Sequence, residues 1–257
     1  VVLELDGTLK LLNEKINIGA KNSSIGSIEE FKTRLETIKK SPYVNLKGVM
    51  LHEAPLAEHP TSLGFLASKN PIRNRIKNIS LPRIQEFREK AFDLLIKEGF
   101  EAEIINGGNS RSFNVTIKDE TLSEVNLGAA FLGADFIEEK LDLTNALFFA
   151  VEVVRKPSSD YITCMGGGYI ASGTTKNSQP KITMPLGLSV TESGFGEIQT
   201  SFKIQDPKLR INLGDPVLLT HTNSGELAEH FSYYIVCRDR EIISEETTYR
   251  GEGLIFL

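Results

Sequence analysis

The chain has no tryptophan and only two cysteines in 257 residues. Those two, Cys164 and Cys237, stand far apart and form no CxxC pair, which excludes a disulfide framework or a zinc knuckle and points to a reducing cytoplasm. Positive charge is not in excess either. Lys+Arg 29 against Asp+Glu 34 leaves a net charge of -5, so neither a nucleic-acid partner nor general attraction to anionic membrane is expected. No apolar run approaches the roughly 18 to 20 residues of a spanning helix. The first residues lack the basic flank and small-residue site of a signal peptide, and there is no internal repeat or low-complexity tract. What is present is 40% hydrophobic, ample for a sizeable core in one large domain or two smaller ones.

Two compositional regimes share the chain. From Val1 to about Ala134 short apolar strands alternate with helical segments: VVLELD, SIEEFKTRLETIKK, NLKGVMLHE, LPRIQEFREKAFDLLIKEG, EAEIING and LSEVNLGAAFLG. In the second helix Ile84, Phe87, Ala91, Leu94 and Leu95 fall on one face with charges opposite, the period of a helix covering a sheet. Strand and helix in alternation predict parallel strands with helices outside. From about Leu147 the helices stop. ALFFAVEVVRK, YITCMGG, GEIQTSF, PVLLTHT, HFSYYIVCR and REIISEE are β-rich runs between Gly, Pro, Asn and Asp clusters, the pattern of a mostly antiparallel β domain.

Several local patterns carry chemistry. The turn INGGNSRSF leaves an apolar strand with two glycines, so its backbone donors can converge on an anion; a plain strand-to-helix turn is the competing reading. The run CMGGGYIASG is not a dinucleotide fingerprint, because loop and not helix follows it. Its glycines are expected to let the backbone bend or approach a neighbour. Glu4 and Asp6 share one face of the first strand and need hydrogen bonds or a cation. Lys10 is a candidate partner, and a solvated lysine is the alternative. His52 ends a strand in VMLHEAP, where a site role and a structural hydrogen bond are the rival readings. In THTNSGELAEHF the spacing of His221, Glu226, Glu229 and His230 does not make HExxH.

Taken in order, NGGNS, TLSEVNLGAAFLGADF, ALFFAVEVVRKPSSDYITCMGGGYIASG, THTNSGELAEHF and TYRGEGLIFL resemble the bacterial amino acid deaminase/aldolase group. That group belongs to the alanine racemase-like, fold type III enzymes of pyridoxal 5′-phosphate, with D-threonine aldolase and D-serine dehydratase. The resemblance spans essentially the whole chain. It implies an α/β plus all-β fold: residues 1–146 as the C-terminal half of a parallel β/α (TIM-type) barrel that binds the cofactor, and 147–257 as an antiparallel β domain, the chain returning to the barrel near its end. It also implies a truncated copy, because the family's cofactor lysine sits on the first barrel strand, whereas the strand at Val1 resembles a middle one.

For the residues, the resemblance implies that Gly107, Gly108, Asn109 and Ser110 form one phosphate turn and Gly128 and Ala129 the second. Lys10 would stand near the place of an arginine that touches the cofactor's phenolic oxygen. His52 would lie beside the pyridine ring, and Tyr169 could reach the site of a homodimer partner. Relatives hold a divalent metal, zinc or manganese, with a His and an Asp or Cys two positions on; here the pair is His221 and Asn223. Asn is a neutral, weak ligand, so the favoured reading is a metal-free acid/base role for His221, supported by Glu226, with His230 structural. The implied activity is that of a lyase, deaminase or aldolase acting on a small D-amino acid with a β-hydroxyl. Racemisation is the alternative, as is a non-catalytic binding protein or remnant if the chain is complete as it stands.

Overall fold

Alternating burial along VLELD builds the first strand, β1 (Val2–Asp6), and sets the pattern for the N-terminal half. The computed structural model describes residues 1–12, 15–19, 23–57, 70–110, 112–132, 144–172 and 178–254. After β1 come β2 (Leu9–Leu11) and β3 (Ile16–Ile18), an antiparallel pair that interrupts the strand–helix alternation expected from the sequence. Then follow α1 (Ile28–Lys39), β4 (Gly48–His52), α2 (Ala54–Ala57), α3 (Asn70–Lys97), β5 (Ile104–Gly107), α4 (Phe113–Thr116) and β6 (Glu124–Val125). The start of α1 is a capping box. Ser27 Oγ accepts from Glu30 N at 3.2 Å, and Glu30 Oε2 reaches back to Gly26 N at 2.9 Å, satisfying donors the helix cannot. Helix α3 begins eleven residues before Leu81, where the LPRIQ run placed its start, and runs through Pro82.

Strands β1, β4, β5 and β6 form one parallel sheet in that order. On one face Leu5, Val49, Leu51 and Ile105 pack against Phe31 and Leu35 of α1 and Ile84, Ala91 and Leu95 of α3. Fully burying one such side chain is worth about 1.5–3 kcal/mol. The other face is polar. Register places Glu4 beside Met50, Met50 beside Asn106, and Asn106 beside Glu124. The amides of Asn106 and Asn126 hydrogen-bond each other reciprocally at 3.0 and 2.8 Å, and Asn106 Nδ2 also donates to Glu124 Oε1 at 2.8 Å.

The chain divides into two compact units, Val1–Gly128 and Ala129–Leu257. The second unit holds α5 (Ala129–Leu132), β7 (Phe149–Ser158), β8 (Tyr161–Met165), β9 (Lys181–Met184), β10 (Leu188–Val190), β11 (Gln199–Ile204), β12 (Pro216–Thr220), a 3-10 helix (Ser224–Glu229), β13 (Tyr233–Arg238) and β14 (Glu241–Thr247). Six strands pair antiparallel in the order β10-β11-β8-β7-β12-β9, and β13 and β14 form a hairpin. Phe149, Val151, Val153, Ile162, Cys164, Phe202, Val217 and Leu219 fill its core. All six β-rich runs of the sequence are strands here; β9 and β10, short and flanking Pro185 and Gly187, are additional. The architecture expected from the sequence, a parallel α/β part followed by an antiparallel β part, is the one observed. No described helix is long and apolar enough to cross a membrane.

Candidate active site

The carboxyl ends of parallel strands are where α/β folds place their chemistry. In the first unit Asp6, His52, Gly107 and Val125 stand at those ends. Asp6 Oδ1 accepts from Thr8 N at 2.9 Å and Thr8 Oγ1 at 2.5 Å, so a local turn supplies hydrogen bonds that this carboxylate needs. Lys10 is exposed and sits within β2, opposite Asn17, and not in a loop. Together with Asp6, Gly7, Ser80, Arg83 and Phe87 it lines a cleft of about 220 Å³. His52 is half-buried and pairs with Asp6 across the sheet. Its Nδ1 is buried with no hydrogen-bond partner among the described residues.

The turn after β5 is ordered by its own side chains. Asn109 N donates to Ser112 Oγ at 3.1 Å, and Ser112 N donates to Asn109 Oδ1 at 3.2 Å. Asn109 is thus directed into the turn. Gly108 has φ +78, and a Cβ there would come within 2.9 Å of Thr116 Cγ2 and Val125 Cγ1; only glycine meets both demands. Gly128 N donates to Ser110 Oγ at 3.3 Å, which joins the turn after β5 to the one after β6. A Cβ on Gly128 would meet nothing within 4 Å among the described residues. Ala129 opens α5, in the second unit.

Beneath the turn lies a charge cluster. Arg88 of α3, 1% exposed, donates through Nη2 to Glu53 Oε1 and through Nη1 to Asp119 Oδ2. Glu53, also 1% exposed, accepts from Ser112 Oγ at 2.9 Å and from Thr116 Oγ1 on its other oxygen. Asp119 Oδ1 accepts from Thr121 N at 3.1 Å and Thr121 Oγ1 at 2.6 Å. The expectation that the charges of this helix all face away from its apolar stripe is corrected here. Arg88 lies four residues after Ile84 and three before Ala91, on the stripe itself, and that spacing was the signal by which the sequence could have shown it.

In the second unit His221 follows β12 and is 2% exposed. Its Nδ1 lies 2.6 Å from the carbonyl oxygen of Asn223, with Asn223 N 3.1 Å away. Both contacts fix the ring against the loop backbone through Nδ1. Nε2 is buried without a partner among the described residues. Burial pulls the pKa below its ordinary value near 6.5, against opposing pulls from the Asn223 carbonyl and Glu226, so the ring is held neutral. Asn223 Nδ2 donates to Glu226 Oε1, and Glu226 also takes Ser172 N at 2.8 Å and Ser172 Oγ. Glu226 therefore braces the loop around His221.

Tyr169 packs in an aromatic cluster of its own unit, with ring centroids 5.1 Å from Phe149, 4.7 Å from His230 and 5.3 Å from Phe231. The glycines before it bend and thin the backbone. Gly166 and Gly167 have φ +71 and +106, and a Cβ on Gly168 would lie 2.6 Å from the Gly196 carbonyl carbon.

No family model matches the sequence, and no curated protein matches it. The likeness is to solved structures. D-threonine aldolase from Filomicrobium marinum superposes with a TM-score of 0.68 at 14% identity, over 92% of this chain and 61% of that one. A D-threo-3-hydroxyaspartate dehydratase mutant in a metal-free form gives 0.64 at 12% identity, over 96% and 65%. Alanine racemase of Clostridium difficile with cycloserine gives 0.59 at 15% identity, over 96% and 65%. The fold is thus that of the alanine racemase-like, fold type III enzymes, and the chain spans 61 to 65% of the length of these three structures.

Proposed function

We propose that the chain is the cofactor-phosphate-binding and β-domain part of a pyridoxal 5′-phosphate-dependent lyase, deaminase or aldolase acting on a β-hydroxy D-amino acid. The observation that carries this reading is the meeting of two turns at the carboxyl edge of the parallel sheet, where Gly128 N reaches Ser110 Oγ. The residues fit a phosphate: the Ser110 hydroxyl and a backbone lined by Gly107, Gly108 and Gly128. Ser110 and the amide of Gly108 would hold the phosphate, with Gly128 N fixing the Ser110 hydroxyl; Lys10 would supply positive charge. When bound, the pyridoxal ring supplies an electron sink for breaking a bond at the substrate α-carbon. His221 is the candidate acid/base group, its ring held neutral by burial and its Nε2 without a partner among the described residues. His52 offers a second ring nitrogen without a partner among the described residues, Nδ1, at the carboxyl end of β4.

A divalent metal does not fit the donors around His221. Asn223 turns its amide to Glu226, and Glu226 is already occupied by Ser172; no group of three His, Cys, Asp or Glu suited to a metal occurs among the described residues. No step is therefore assigned to a metal.

The test is turnover of D-3-hydroxy amino acids by a longer form of the protein that carries a cofactor lysine, supplied with pyridoxal 5′-phosphate, with keto acid, ammonia and aldehyde measured separately; the chain by itself is expected to be inactive. Stereospecific loss of the D-isomer is expected. His221→Ala should lower turnover by about 10²- to 10⁴-fold, the effect of losing a general acid or base, and chelator should leave it unchanged. A protein that retains no pyridoxal 5′-phosphate on dialysis would refute the reading.

A further inference from the structure

The Glu53–Arg88–Asp119 cluster touches the Gly107–Ser112 turn at two points, and both contacts bear on the anion site. Arg88 Nη2 would lie 2.7 Å from a Cβ on Gly107. The first glycine of the turn is thus required by the guanidinium beneath it, whereas the second is required by its positive φ. The other contact is Ser112. Its hydroxyl donates to Glu53 Oε2 at 2.9 Å and accepts from Asn109 N at 3.1 Å, so it lies between a buried carboxylate and the turn backbone. Ser110 lies between Asn109 and Ser112 in the chain, and its hydroxyl is what Gly128 N reaches.

We infer that Glu53 is a positioning residue of the phosphate site, acting through Ser112: the buried ion cluster holds Glu53, Glu53 holds Ser112, and Ser112 sets the turn that presents Ser110. Glu53 itself stays on the buried side of the turn and touches no ligand. The fixed partners of Glu53, with Arg88 on one oxygen and Ser112 and Thr116 on the other, leave its carboxylate little freedom to move. A turn preorganised in this way binds an anion without first ordering itself.

This inference rests on the phosphate reading above, and the experiment separates the two. Pyridoxal 5′-phosphate and pyridoxal, which lacks the phosphate, are compared by equilibrium dialysis against the purified protein. The ratio of their affinities isolates the phosphate contribution. Ser112→Ala should lower that ratio by about tenfold, the effect of a lost hydrogen bond, with pyridoxal affinity unchanged. Ser112→Cys, which fills the same space with a weaker hydrogen-bonding group, should fall between, and reports even if the alanine variant folds poorly. Ser27→Ala removes a helix cap that belongs neither to the cluster nor to the turn, and should leave the ratio at the wild-type value. An unchanged ratio in both Ser112 variants, or an equal fall in Ser27→Ala, would overturn the positioning role. A wild-type protein that binds the two compounds equally would overturn the phosphate reading and this inference with it.

Discussion

Replacing Arg88 with leucine should be among the most destabilising single changes in the first unit. Leucine suits the surrounding stripe of Ile84, Ala91 and Leu95, so the loss arises from what remains: the carboxylates of Glu53 and Asp119, with side-chain exposures of 1% and 5%, without their cation. Breaking a buried pair by removing one partner costs about 3–5 kcal/mol, a large share of the roughly 5–15 kcal/mol that stabilises a typical domain. The hydroxyls of Ser112, Thr116 and Thr121 still donate to the two carboxylates and keep the loss from growing further. The chain has no tryptophan, so unfolding in urea is best followed by circular dichroism at the helical band. That signal reports chiefly on the first unit, where both long helices, α1 and α3, lie. Adding Glu53→Gln and Asp119→Asn to Arg88→Leu should recover more than half the loss, because no buried charge is then left unpaired. A loss below about 1 kcal/mol for Arg88→Leu, or simple additivity in the triple variant, would refute the account of a coupled buried cluster.

Gly108→Ala should destabilise by about 1–2 kcal/mol from its positive φ alone, and further from the 2.9 Å approach to Thr116 and Val125; Gly99→Ala, at φ +79 with nothing within 4 Å, should show the φ cost only. Equal losses in urea titrations of the two variants would contradict the packing argument. Ser27→Ala removes the cap of α1 and should cost about 0.5–2 kcal/mol in the same assay. For His221 the folded pKa lies below the unfolded one, so protonation favours unfolding. Its contribution is complete above the unfolded value near 6.5 and is lost as pH falls through the folded value. His221→Gln should therefore flatten the decline in stability between neutral and mildly acidic pH, and a parallel decline in both proteins would count against the buried neutral ring. Cys164 is buried with its thiol pushed up to about 12, while Cys237 is exposed. A thiol reagent at mildly alkaline pH should label Cys237 alone in the native protein and both cysteines after denaturation.

Much of the fold was legible because burial is periodic. The alternation of VLELD and the stripe of Ile84, Ala91 and Leu95 identify a strand and a helix before any contact is known, and the loss of helical pattern after Leu147 marks the change to antiparallel strands. Elements too short to show a period were not legible: β2 and β3 each have three residues, as does β10. The site divides in the same way. The turn at Gly107–Ser110 and His221 stand out by residue type and spacing, since glycine pairs and histidines are informative wherever they occur. The union of the two turns through Ser110 and Gly128 does not stand out, because it joins residues eighteen positions apart.

What the sequence by itself determined is therefore the order and kind of the main elements, the polarity of their faces and the residues able to do chemistry. These follow from local stereochemistry and from the hydrophobic effect acting on a periodic chain. Only the tertiary structure decided which charges share a cavity, why the first glycine of the turn must be glycine, and which loop carbonyl stands against His221 Nδ1. Each of these depends on atoms that chain connectivity leaves far apart, or on a backbone carbonyl whose direction only the folded loop defines. Arg88 shows the boundary between the two: its spacing places it on a buried face, but nothing along the helix tells that Glu53 and Asp119 will be there to receive it.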